Sequence, residues 1–377
     1  SNKPIKDLRD IIFSEKFNDA LSKKNEEGKD QAALNKQYLK TLDDIKVSEE
    51  KLISKRDALQ KSLDRKIVGE QKALSSLNRE FDSELRKREN QIEAERKKLQ
   101  KEYEDEVSVY DSLNEQLNEL KLNYTNSDSS FININGTNVH YRDEGIGQVI
   151  VLLHGTGASL HTWDKWTKEL KKKYRVIRLD LPAYGLTGPH PEKKYLISDY
   201  SNFLNSFVKL LQIDDFILSG NSLGGAIAWF YASEHQDKIK LLCLLNPSGF
   251  INKDKGSPFV IKLARTPIIN KLLRYVTPRF FIKNTLKEVY YDKTKLTNKK
   301  IDTYRDMVLR ENNRESFIDR SLLKPQDYTD RLKFISTPTQ IIWGNEDAWI
   351  PVSNAILFEK ELPNTVINIM QKTGHIP

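Results

Sequence analysis

The chain has 377 residues, enough for one large domain with an added element or for two domains, and its 61 Lys+Arg against 53 Asp+Glu give a formal net charge of +8. Residues 1–130 hold 26 basic against 28 acidic side chains, residues 251–335 hold 20 against 10, and the rest hold 15 against 15. An excess confined to one internal segment is not the basic arm or stripe of a nucleic-acid binder, so no nucleic acid is expected as a partner.

No run approaches the roughly 18 apolar residues of a membrane-spanning helix. The single cysteine, Cys243 in "LLCLLN", cannot form an intrachain disulfide and reads as a small core residue. The N-terminus lacks a signal-peptide core and begins Ser1-Asn2, as a tag-cleaved chain would. A cytoplasmic location is therefore the default expectation, with a membrane-associated or exported native form left open.

Residues 1–124 hold one proline, two glycines (Gly28 and Gly69) and long mixed-charge tracts such as "ELRKRENQIEAERKKLQKEYEDE". Apolar residues recur every seven positions, as Tyr38, Ile45, Leu52, Leu59 and later as Leu85, Ile92, Leu99, with Tyr103, Tyr110, Leu113, Leu117 and Leu120 following. This predicts a helical coiled coil, able to self-associate or bind a partner. Ile67, Leu74 and Phe81 follow a shifted phase around Gly69, which predicts a fold-back there into an antiparallel hairpin. A continuous rod, a parallel dimer, a lone solvated helix and a fusion module are the competing readings.

The polar stretch "TNSDSS" at 125–130 separates this segment from a different texture, a domain predicted over 131–377. "FININ" and "TNVHYRDEG" read as a hairpin pair. "QVIVLLHG", "YRVIRLDLP", "DFILSGN", "KLLCLLNPSG", "TQIIWGN" and "TVINIMQ" read as short buried strands. Helical stretches lie between most of them, which predicts an α/β fold: a doubly wound, mostly parallel sheet covered on both faces, with its ligand site at the carboxyl ends of the strands.

Within "ILSGNSLGGA", Ser222 follows a predicted strand and precedes a predicted helix, and its neighbours Gly220 and Gly224 would let the backbone bend sharply. A serine nucleophile needs a base, and the base an orienting carboxylate. His375 in "KTGHIP" and Asp347 in "WGNEDAWIP" each lie just past a predicted strand, at the edge that presents Ser222. Glu346 is the alternative carboxylate, and His154 reads as scaffold rather than base. No glycine spacing for a nucleotide loop and no His or Cys cluster for a metal is present, so no cofactor is expected.

With the order Ser, Asp, His, with "HGTGAS" at 154–159, "RLDLPAYGLTG" at 178–188 and "WGNEDAWIP", the chain from about 131 onward resembles the α/β-hydrolase family. The resemblance implies Ser222 as nucleophile, His375 as base, Asp347 as orienting acid, and the amides of Thr156 and Leu223 as oxyanion donors. Ala183 stands where the family usually has glycine. The family also adds a helix after the histidine, so an uncovered sheet face is expected near the end of this sequence.

The insertion at about 250–335 sits where the family places a helical cap. Ile268, Ile269, Leu272, Leu273 and Val276 fall at helical spacing there, with Lys271 and Arg274 on the other side. An apolar acyl pocket next to an anionic surface such as lipid headgroups would suit it, and so would a lysine-rich solvated cap. The first functional expectation is hydrolysis of a small-molecule carboxylic ester with an apolar acyl group. "GNSLGG" also resembles the serine motif of carbon–carbon bond hydrolases acting on ring-cleavage products, and a scaffold carrying a hydrolase domain is the third reading.

Overall fold

A computed structural model of the chain describes residues 31–74, 80–250 and 258–376. Two long helices come first, α1 (Gln31–Leu74) and α2 (Glu80–Tyr124). The heptad residues with described side chains, from Ile45 to Leu120, are half-buried or buried, Leu42, Leu63, Leu117 and also Glu49 are well enclosed, and Ile67 of the shifted phase is exposed. Tyr38 and Leu85 lie outside the described side chains. Lys55 reaches Glu102 at 4.0 Å, and burial together with the Glu49 carboxylate raises the Tyr103 phenol.

The expected break at Gly69 is not there, since α1 runs through it to Leu74. One interior glycine costs a helix only about 1 kcal/mol, which a 44-residue helix tolerates. Residues 75–79, between α1 and α2, lie outside those described.

The chain divides into two compact units, one holding Tyr38–Glu119 and the other Leu120 onward, so the boundary falls inside α2 rather than at its end. Lys121 is fully buried within the second unit, and Leu120 packs with Phe131, Leu186 and Met307.

The second unit is an eight-stranded sheet in the order β1-β2-β4-β3-β5-β6-β7-β8. β1 (Ser129–Ile134) and β2 (Thr137–Glu144) form the expected hairpin, and β2 runs antiparallel to β4 (Tyr174–Leu179). From β4 on, the strands are parallel: β3 (Gln148–Leu153), β5 (Phe216–Asn221), β6 (Ile239–Leu245), β7 (Thr339–Gly344) and β8 (Thr365–Met370).

Helix α3 (Asp164–Leu170) adjoins one face of the sheet, where Trp163 and Trp166 pack with Leu152 and Val176. Helices α4 (Ile197–Leu210), α5 (Leu223–His235) and later α11 (Ser353–Glu361) supply Phe207, Phe230 and Phe358 to the larger core cluster. Central strands covered on both faces must be apolar throughout, which is why they read as continuous runs. β8 is the edge strand, with Val366, Ile369 and Met370 exposed.

Five short helices fill the interval between β6 and β7: α6 (Phe259–Arg265), α7 (Ile269–Leu273), α8 (Arg279–Val289), α9 (Asn298–Leu309) and α10 (Asn313–Leu322). Residues 251–257 of the expected cap lie outside those described. Among the described residues no helix is long and apolar enough to cross a membrane.

Candidate active site

Four neighbouring parallel strands each deliver one polar side chain at their carboxyl ends. Ser222 follows β5, Asn246 follows β6, Asp347 follows β7 and His375 follows β8. This is the edge at which open parallel sheets bind ligands.

Ser222 occupies a strained turn with φ 54° and ψ −113°, a region that serine rarely adopts. A Cβ on Gly220 would lie 2.2 Å from the Gly224 carbonyl, so the turn closes only with glycine there. Leu223, a proposed oxyanion donor, is the first residue of α5, where amides lack intrahelical partners.

His375 Nδ1 donates to Asp347 Oδ2 at 2.7 Å, and all three side chains, Ser222, Asp347 and His375, are buried. The same carboxylate oxygen accepts from Asn246 Nδ2 at 2.5 Å, and Oδ1 accepts the amides of Trp349 and Ile350 at 2.7 and 2.9 Å. The carboxylate is thus fixed from both sides. The Trp349 ring lies 5.3 Å from the imidazole, centroid to centroid. His375 Nε2 is buried without a hydrogen-bond partner among the described residues. With Nδ1–H given to Asp347, Nε2 is the lone-pair nitrogen that can accept a proton.

Glu346 does not compete for this place. Its Oε2 accepts the Thr373 amide at 2.7 Å and so tethers the loop that carries His375. Asn221 donates to the His375 carbonyl, a second tether. Neither Asn221 nor Asn246 stood out in the sequence. Asn246 could have been found only as the polar residue ending the apolar run "LLCLLN".

Thr156, the other proposed oxyanion donor, lines the same cavity as Ser222 and His375. Its loop is held from behind. His154 Nδ1 donates to the Gly155 carbonyl, and its Nε2 accepts the Leu181 amide, the scaffolding place expected for it. Asp180 accepts the amides of Leu160 and Leu186 and lies 2.8 Å from His140 Nδ1. Burial opposes its ionisation, yet the imidazoles of His140, His154 and His161 hold it well below the usual carboxylate range. His161 is pushed down to about 4 by burial and by the Arg142 guanidinium. Ala183 has φ 81° and is fully buried, so the alanine at the usual glycine position carries backbone strain that the sequence reading passed over.

The cavity over Ser222 encloses about 1090 Å³ including its open mouth. Its far wall is apolar, built from Leu273, Phe281, Leu286, Val289, Met307 and Phe317 of four of the five cap helices. Apart from His375, the one charged side chain on the lining is Arg314, whose Nη1 donates to the Tyr275 carbonyl. Among the described residues no group of three or more His, Cys, Asp or Glu side chains is placed to share a metal ion.

Against known proteins, residues 148–377 match the family model for the alpha/beta hydrolase fold. A 2-hydroxy-6-oxononadienedioate/2-hydroxy-6-oxononatrienedioate hydrolase of Paraburkholderia phymatum is 28% identical over 272 residues, covering 66% of this chain and 89% of the relative. A crystal structure of a bacterial membrane phospholipase A superposes with a TM-score of 0.59 at 22% identity, covering 66% of this chain and 80% of that one. A meta-cleavage product hydrolase from Pseudomonas fluorescens gives 0.55 at 22% identity, over 66% and 90% of the two chains. At such identities the two structures speak to the fold alone.

Proposed function

Because the chain belongs to the α/β-hydrolase family, in which hydrolytic enzymes are the rule among its named relatives, we propose that it is a serine hydrolase cleaving carboxylic esters of apolar acyl groups. Ser222 Oγ attacks the ester carbonyl while His375 Nε2 takes its proton. The tetrahedral oxyanion is held by the amides of Thr156 and Leu223, and Asp347 keeps the imidazole in the tautomer that can accept. Collapse expels the alcohol, which receives the proton from His375, and leaves an acyl-serine. Water, deprotonated by the same nitrogen, releases the acid and restores Ser222.

The observation that carries this reading over its rival is the wall of the cavity. A ring-cleavage dienedioate, the substrate named for the Paraburkholderia relative, bears two carboxylates. Burying them without cationic partners is costly, and this lining offers Arg314 alone. The sequence likeness to that relative favours the carbon–carbon reading, and a direct comparison decides between them. On a chain-length panel of nitrophenyl esters beside a ring-cleavage dienoate, kcat/KM should rise with acyl length and the dienoate should be a poor substrate. Preferential cleavage of the dienoate would overturn the ester assignment and leave the fold untouched.

For the helical segment we propose an antiparallel hairpin, supported by the Lys55 to Glu102 pair and by Glu49 beside Tyr103. A scattering measurement on the isolated segment separates a monomeric hairpin from a parallel dimer.

A further inference from the structure

The cap helices are apolar on two sides. Their inner faces carry Val260, Leu273 and Phe281 into the cavity. A surface helix ordinarily presents polar residues on the opposite side. Here Phe259, Ile268, Leu272, Tyr275, Val276 and Phe280 are each half or more exposed, Ile268 at 79%. Ile268 is also held at φ 70°, a strained backbone for a β-branched residue. Six large apolar side chains exposed within 22 consecutive residues, 259 to 280, are more than the scattered singles of an ordinary surface and point to a patch.

The charge around this patch has one sign. Residues 259–289 hold seven basic side chains against one acidic, Glu288. Arg274 is paired with Glu315 and Asp319, and Arg279 with Asp302. Lys262, Lys271, Lys283 and Lys287 are exposed and form no ion pair among the described residues.

We propose that this face of the cap docks onto an anionic lipid surface, with the six apolar side chains inserted below the headgroups and the lysines lying against them. A lipid surface is the occupant that combines both complementary features, an apolar interior directly beneath a layer of negative charge. The helices that bear the patch also form the wall over Ser222, so docking would bring that wall against the lipid. Delivery of an apolar acyl ester from the lipid to the cavity rests on the ester reading, whereas docking itself does not.

The test is co-sedimentation of the full chain with phosphatidylcholine vesicles, with and without phosphatidylglycerol, across a salt series. Binding should be at least about tenfold tighter to the anionic vesicles and should fade above about 0.1 M salt, where exposed charges are screened beyond roughly 10 Å. Leu272→Ser with Tyr275→Ser, neither of which lines the cavity, should lose most of the binding while keeping the melting temperature and the turnover of a short soluble ester. Lys271→Glu with Lys283→Glu should abolish the preference for anionic vesicles. Equal binding to both vesicle types, undiminished binding by the serine variant, or a solution dimer that this variant dissolves would each overturn the proposal. A chain that binds anionic vesicles but cleaves no ester keeps the docking surface and overturns only the ester assignment.

Discussion

Ser222, Asp347 and His375 should fail together. Ser222→Ala and His375→Ala are each expected to lower kcat on a short nitrophenyl ester by roughly 10³-fold or more, and the double variant to lose little beyond either one, as for residues acting as a unit. Asp347→Asn should cost less, and steady-state kinetics of the four proteins checks the pattern. All three residues were legible because strand-end motifs mark them. Asn246 was not, since its role depends on β6 lying beside β7, which no local pattern encodes.

A second expectation concerns His161, half-buried and held neutral beside Arg142 and the Tyr124 carbonyl. Its pKa falls from an ordinary value near 6.5 to about 4 in the folded chain. The unfolded chain therefore binds the proton first, so stability is full above about pH 6.5, declines as pH falls towards 4, and levels off below. His140 and His154, also lowered by burial, act in the same direction. Each such proton steepens the decline by up to about 1.4 kcal/mol per pH unit. Urea denaturation at a series of pH values should show a shallower decline for His161→Gln than for the parent chain, and identical slopes would refute the assignment.

At the scale of elements, the end of α2 behaves as part of the hydrolase unit. The Tyr124 hydroxyl donates to Asp306 Oδ2 at 2.6 Å, joining the last turn of α2 to α9. The Tyr124 carbonyl accepts from Arg142 Nη2 and His161 Nε2. Leu120 packs in one cluster with Met307, whose side chain lines the cavity. Tyr124→Phe should therefore cost about 1.5 to 3 kcal/mol of stability, as for loss of a hydrogen bond to a charged acceptor. It should also raise KM more than it lowers kcat, because α9 lends Met307 to the cavity wall and supplies none of Ser222, Asp347 and His375. An unchanged melting temperature would show the bond to be idle.

The heptads announced two long helices but could not announce that the last turn of the second is core. Lys121 looks like any surface lysine in sequence, and only the fold reveals its burial. The cap shows the converse. Its helical spacing was readable, but which residues face inward was not: Ile268, Leu272 and Val276 are exposed, whereas Leu273 and Phe281 line the cavity.

For the whole molecule, all eight strands were legible as apolar or alternating runs bounded by turns, the central parallel ones as continuous apolar runs. Their order in the sheet was not. That order has a kinetic consequence. The site is closed by contacts of very long sequence separation, Asn246 to Asp347 across 101 residues and Asn221 to His375 across 154. His375 hangs from β8, an edge strand held by β7 on one side only. Contacts of this kind form late, since loop-closure entropy must be overcome before they reward the chain. During refolding from urea, burial of Trp163 and Trp343 should therefore precede recovery of ester turnover, with a lag that Thr365→Pro in β8 lengthens. Simultaneous recovery of fluorescence and turnover would contradict this order. Under the proposed mechanism the same order keeps every nascent chain catalytically silent until β8 and residue 375 have left the ribosome, so Ser222 gains its base only after the other strands have emerged.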